Sequence, residues 1–170
     1  AHWDPTIPNE KKLYILAEVA PGIKNIRKID RRYKLAMPWT YFWFVAITGD
    51  SLDRNRWQLD QYFCYHAKDR YEGLDSQFIP ARVPNVYSNG KICWGTTGEP
   101  VTLSLADRID ALAGNWYTST FNTDLDREVP LPYNENNYRR WVEESRANAL
   151  CWQNWPEWND ANVTKYSVRA

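Results

Sequence analysis

The residues of this chain best equipped for chemistry lie in one stretch, Val83-Pro84-Asn85-Val86-Tyr87-Ser88-Asn89-Gly90-Lys91-Ile92-Cys93-Trp94-Gly95. A cysteine works as a nucleophile when it is reachable, when its thiolate is favoured or a base is near, and when donors face the developing oxyanion. Cys93 comes just after an Asn-Gly turn and before a glycine-containing loop, which gives it access. Asn85 stands eight positions earlier, across the bend, and its side-chain amide is a candidate oxyanion donor. On residue types alone, two readings stay open: a nucleophile site, or a well-made turn whose cysteine packs as a small hydrophobe.

The other reactive residues add little. His2 and His66 are the only histidines. His66 sits toward the end of a predicted strand and reads as a structural or surface histidine, so a Cys-His hydrolase is weakly supported. Cys64, Cys93 and Cys151 are odd in number and widely spaced, which argues against a disulfide framework and for a reducing compartment. No C-x-x-C or His/Cys cluster suggests zinc, and no metal or cofactor is expected. Asn162-Val163-Thr164 fits a glycosylation sequon, a match that arises often by chance.

The elements that must position Cys93 are legible in outline. At 170 residues, one domain is expected, with a core of real size. Trp39–Ile47 is aromatic and β-branched, with Pro38 before it and Gly49-Asp50 after it; apolar on both faces, it predicts a central strand. It is too short an apolar run to span a bilayer. Trp57 to Lys68 predicts the next strand, with partial alternation at Leu59, Tyr62, Cys64 and His66. Asp69 to Gly73 predicts the turn, and Phe78 to Val83 the extended return, with Pro80 and Pro84 at the end of a ladder. Upstream, Leu13 to Ala20 is an apolar strand or short buried helix ending at Pro21-Gly22. Residues 23–34 place Ile23, Ile26 and Ile29 at helix-like spacing among Lys24, Arg27, Lys28, Arg31 and Arg32, which reads as a solvated basic face or a contact patch.

Two helices follow. Ser104 with Asp107 fits a capping box, and Leu105, Ile109, Leu112 and Trp116 repeat on one face, with Asp107, Arg108 and Asp110 off it. Glu135 to Leu150 predicts a second helix with Tyr138, Trp141, Val142 and Leu150 inward, and Arg139–Glu143 and Arg140–Glu144 paired outside. The expectation is an α+β fold: an antiparallel β-meander packed against helices, with an aromatic-rich C-terminal extension. It divides into an N-terminal arm and first elements at 1–37, a core at 38–128, and a C-terminal helix and Trp-rich tail at 129–170, all within a single domain.

The run Pro84-Asn85-Val86-Tyr87-Ser88-Asn89-Gly90-Lys91-Ile92-Cys93 resembles the signature of the ubiquitin-conjugating enzyme (UBC-like) superfamily. That signature reads His-Pro-Asn, a turn with Gly, then the catalytic Cys at this same spacing. The likeness is nearest to the divergent prokaryotic and phage branch that includes PRTRC-system protein B, where a helix with Trp and a Phe-Ser/Thr-rich stretch follow. Trp116-Tyr117-Thr118-Ser119-Thr120-Phe121-Asn122 is similar to that stretch, and the match covers roughly residues 38–125. The resemblance implies a UBC-like fold, Cys93 as the thioester-forming nucleophile, and Asn85 as support for the active-site loop or the oxyanion. Three features depart from it. Val83 stands where the family has His. Trp94 replaces a smaller aliphatic residue, and its ring could shield the thiol. No N-terminal helix for an activating enzyme is recognisable.

Three functions compete. In the first, the chain accepts a ubiquitin-like modifier on Cys93 from an activating enzyme and passes it to an amine, with Asp124 or Asp126 as a guess at the base. In the second, it is a non-catalytic subunit of a large assembly, a phage virion or mobile-element complex. Ten Trp and eleven Tyr, zero net charge and Trp152, Trp155 and Trp158 as an anchor into a neighbour would suit that role. Tyr87 and Trp94 beside the cysteine are further candidates to contact a bound protein. The third, nucleic-acid binding through stacking, has only residues 24–34 as basic support and ranks lowest. Protein partners are therefore expected, with no membrane. The expected location is cytoplasmic, or the virion for a phage structural part.

Overall fold

The computed structural model of the chain describes residues 2–3, 11–28, 31–48, 57–94, 104–121, 135–160 and 165–167. Its centre is the aromatic strand that the sequence marks out. β5 (Trp39–Thr48) lies between β2 (Lys11–Val19) and β6 (Gln58–Ala67) and pairs antiparallel with both. Added outward are β1 (His2–Trp3) beside β2, then β7 (Gln77–Pro80) and β9 (Tyr166–Ser167) beyond β6, which gives the order β1-β2-β5-β6-β7-β9. A two-sided burial explains the absence of polar alternation in β5. Phe42, Phe44 and Ala46 join Leu59 and Cys64 in the larger core. Tyr41 joins Tyr65, Ala67 and Phe78 in a second cluster, with Trp43 and Phe63 packed against it.

The broken alternation of β6 has a local cause. Val45 is opposite Gln61 but Ala46 is opposite Leu59, so Asp60 is an extra residue in a bulge. The bulge puts Leu59 and Tyr62 on one face despite their odd spacing, in line with Cys64 and His66. β7 stops at Pro80, which cannot donate to a ladder.

The described residues of the stretch 23–34, which are 23–28 and 31–34, do not form the helix that the isoleucine spacing suggests. They lie in an antiparallel hairpin of β3 (Gly22–Lys28) and β4 (Arg31–Met37), with Ile26 opposite Tyr33 and Arg27 opposite Arg32. In a strand, residues three apart point to opposite faces. Ile26 is accordingly buried, whereas Ile23 is 46% exposed. Pairing with β4 outweighs the helix-like spacing, and the short β8 (Thr120–Phe121) runs parallel to β3 at Arg27 and Lys28 and completes a second sheet, β4-β3-β8. Ile29 lies outside the described residues.

α1 (Leu105–Trp116) begins as expected: the Ser104 hydroxyl oxygen accepts from the Asp107 N–H at 3.2 Å. Ile109, Leu112 and Trp116 are buried. Arg108 is buried as well, contrary to its expected outward place, because its guanidinium donates to the Trp57 carbonyl at 2.6 Å. α2 (Glu135–Ala147) covers the open edge of β4. The Ala36 N–H donates to Ser145 Oγ at 2.9 Å, and Trp141 Nε1 donates to the Ala36 carbonyl at 3.2 Å. A strand edge is thereby satisfied by helix side chains. The Arg140–Glu144 pair forms at 2.7 Å. Leu150 falls beyond the end of α2 and is 46% exposed, not inward. Short 3-10 turns at Cys151–Asn154 and Pro156–Trp158 close the C-terminal part. Among the described residues, no helix is long and apolar enough to cross a membrane.

Candidate active site

The stretch around Cys93 is a miniature hairpin laid against the end of the main sheet. Gly90 N–H donates to the Tyr87 carbonyl at 2.8 Å, which closes the turn. The Tyr87 N–H then donates to Lys91 at 2.9 Å, Val86 bridges Ile92, and the Cys93 N–H donates to the Asn85 carbonyl at 2.8 Å. The eight-residue separation of Asn85 and Cys93 is thus the outer rung of a ladder. Asn85 sits at φ 65°, in the left-handed region that Asn tolerates better than most residues. Two bonds join the hairpin to β6: the Cys64 N–H donates to the Gly90 carbonyl at 2.8 Å and the Ile92 N–H to the Tyr62 carbonyl at 2.9 Å.

Gly90 is required twice. Its φ is +87°, and a Cβ there would come within 2.5 Å of the Tyr65 ring. Tyr65 lies beneath the turn and its hydroxyl donates to the Asn89 carbonyl at 3.0 Å. The Asn89 side chain accepts from the Lys91 N–H at 3.0 Å, an Asx arrangement that stiffens the tip.

Cys93 is half-buried at the end of this ladder. Trp94, whose ring raised the prospect of a shielded thiol, packs edge-on against Tyr62 at 5.8 Å and Trp116 at 5.4 Å between centroids. It belongs to the rim of the core beneath α1. Tyr87 is also half-buried. Cys64 is fully buried and burial alone pushes its thiol well above the ordinary range. Burial also raises the half-buried Cys151.

His66 does not serve Cys93. Ile92 is bonded to Tyr62, and His66 lies four residues further along β6, roughly 13 Å away at about 3.3 Å per residue. His66 is 1% exposed, with Nδ1 3.3 Å from Thr40 Oγ1 and Trp155 edge-on above the ring. Burial, with Arg82 nearby, lowers its pKa to about 3, so it is a neutral structural residue at ordinary pH. Val83, at the position where the resembled signature carries His, is buried among apolar side chains.

The structure therefore brings together Asn85, Tyr87, Cys93 and Trp94. It puts the tail tryptophans elsewhere: Trp152 and Trp155 are buried in the chain's own core, Trp155 beside Trp141 at 5.3 Å, and Trp158 is half-buried against Trp155. Asp124 and Asp126, the sequon at Asn162, and the predicted loop from Gly95 to Pro100 lie outside the described residues. Among the described residues, no group of three or more His, Cys, Asp or Glu could hold a metal. Sequence reasoning missed Tyr65, Tyr62 and Trp116, which hold the hairpin and Trp94; each acts over a long chain separation that leaves no local pattern. No protein-family model matches the sequence, no curated protein is recognisably similar to it, and no solved structure matches its fold.

Proposed function

We propose that the chain is a UBC-like protein that carries a ubiquitin-like modifier as a thioester on Cys93. One observation carries the reading. The Pro84-Asn85 to Cys93 spacing, which resembles the superfamily signature, forms a closed hairpin that holds a half-buried thiol, with Trp94 packed against Tyr62 and Trp116. In the charging step the Cys93 thiolate attacks the thioester carbonyl carbon held by an activating enzyme; the new S–C bond forms and the activating enzyme's thiolate leaves. In the transfer step an amine attacks, the Cys93 thiolate departs and the nitrogen loses a proton. The Cys93 N–H is already bonded to Asn85, so it does not face the oxyanion. The Asn85 side-chain amide is the donor that the resemblance implies.

The non-catalytic subunit reading draws less support, because two of the three tail tryptophans serve the chain's own core. A charging assay separates the two. Incubation with ATP, an activating enzyme and a modifier encoded beside this chain is expected to give a reductant-sensitive adduct that Cys93→Ser does not form. Failure with every neighbouring modifier would favour the subunit.

A further inference from the structure

The extended segment that ends at Cys93 has two faces in different surroundings. Ile92 is 4% exposed in the larger core, and Trp94 packs at the rim of that core against Tyr62 and Trp116. Successive residues of an extended chain point to opposite sides, so Lys91 and Cys93 share the other side. The pairing on both flanks agrees. Lys91 bridges Phe63, which packs against the second core cluster, on the side of the main sheet away from the larger core. Across the hairpin, the Tyr87 N–H donates to the Lys91 carbonyl and the Cys93 N–H to the Asn85 carbonyl. Lys91 and Cys93 therefore occupy the two same-face rungs on either side of the Val86–Ile92 bridge. Such residues are about 6.7 Å apart along the chain, and the flexible four-carbon stem of a lysine covers that distance.

Lys91 is exposed, and its bonds to Tyr87 and Asn89 are made by its backbone; among the described residues its ammonium has no partner. Edge protection, a common duty of strand lysines, does not apply here. The segment is bonded to β6 on one side and to residues 85–87 on the other. We propose that Lys91 is an acyl acceptor in cis: the acyl group held as a thioester on Cys93 passes to Lys91 Nζ, and the chain becomes modified at that lysine. The inference rests on the carrier reading for the identity of the acyl group. The neutral Lys91 amine attacks the thioester carbonyl carbon, and a C–N bond forms. The C–S bond breaks and Cys93 leaves as the thiolate. The nitrogen gives its proton to the water around this exposed side chain. Both groups sit on one strand, so the step is intramolecular and its rate is independent of chain concentration. The product is an amide, which reductant does not cleave. It accumulates behind the thioester, which remains the adduct formed first.

The test uses the full chain and S-phenyl thioacetate, an aryl thioester that needs no activating enzyme. Exchange with Cys93 releases thiophenolate and leaves S-acetyl-Cys93. After the reagent is removed, peptide mapping should find acetyl on Lys91 growing as S-acetyl-Cys93 declines, with a half-time unchanged when the chain is diluted about tenfold. Cys93→Ala should lower acetylation of Lys91 by about tenfold or more and leave that of Lys68, an exposed lysine just past the end of β6, as it was. S-acetyl-Cys93 that decays with no acetyl appearing on Lys91 would overturn the proposal. So would equal acetylation of Lys91 in Cys93→Ala, or a Cys93 that takes no acetyl at all. If Cys93→Ala unfolds, the dilution series on the wild-type chain decides: a half-time that lengthens on dilution overturns the proposal. With a modifier, Lys91→Arg should keep the reductant-sensitive adduct and lose the resistant one that the wild type builds up. The two readings fail separately. Acetyl transfer to Lys91 in a chain that no neighbouring modifier charges supports Lys91 as the acceptor and overturns the carrier reading alone.

Discussion

The backbone N–H of Cys93 donates to the carbonyl of Asn85 at 2.8 Å, and Asn85 reaches that position with φ at 65°. On the proposed function Asn85 has two separable duties, a left-handed backbone and a side-chain amide that donates to the oxyanion. Asn85→Gly keeps the backbone and removes the amide; Asn85→Ala removes the amide and adds strain of about 1–2 kcal/mol. In urea titrations Asn85→Gly should remain near wild type and Asn85→Ala should lose about that amount. Both should be slow in transfer to an amine. Normal transfer by Asn85→Gly would show that only the backbone matters.

Gly90 and Tyr65 form the second dependency. Gly90→Ala needs both a strained φ and movement of the Tyr65 ring, whose Cε1 would be 2.5 Å from the new Cβ. A loss of about 2 kcal/mol or more is expected. Tyr65→Phe removes only the bond to the Asn89 carbonyl and should cost about 1 kcal/mol. Thermal unfolding of the two variants checks the order; equal effects would place the importance in the hydroxyl and not in the close approach.

The three thiols should differ sharply toward a small alkylating reagent on the folded protein. Cys64 is fully buried with its thiol raised, Cys151 is half-buried and raised, and Cys93 stands at the end of its ladder. Peptide mapping by mass is expected to find Cys93 modified first, Cys151 later and Cys64 only on unfolding. Early labelling of Cys64 would contradict the described core.

His66 sets a pH dependence of stability. Its pKa falls from 6.5 to about 3 on folding, first through burial and then through Arg82. Between those values the unfolded chain binds the proton and the folded chain does not, so stability is full above about pH 6.5 and declines as pH falls toward 3. The total is on the order of a few kcal/mol. Urea midpoints measured from pH 7 to pH 4 should fall more steeply for wild type than for His66→Gln. Parallel curves would mean that His66 is protonated in the fold.

What the sequence disclosed follows the range of the interactions involved. Trp39–Ile47 as a central strand, the Ser104–Asp107 cap and the Asn89-Gly90 turn are set by neighbours within a few residues, and each is found in place. The strand at Trp57–Lys68 was visible despite its bulge. The β3–β4 hairpin was not, because Ile23 and Ile26 imitate a helical period, and nothing in that spacing marks their cross-strand partners Ala36 and Tyr33. Arg108 was hidden by distance: its partner, Trp57, is 51 positions away. At the candidate site, the Asn85–Cys93 spacing was legible as a motif, but the Tyr65 support and the seat of Trp94 were not, since both depend on sheet and helix packing.

The central claim is that Cys93 carries an acyl group. Its most direct test is the intact mass of the folded chain after incubation with ATP, an activating enzyme and a neighbouring modifier. The account predicts a gain equal to the modifier less one water, lost on adding dithiothreitol and mapped to Cys93, with Cys151→Ser charged normally. A chain whose mass never changes under these conditions, or an adduct mapped to Cys151, would contradict it.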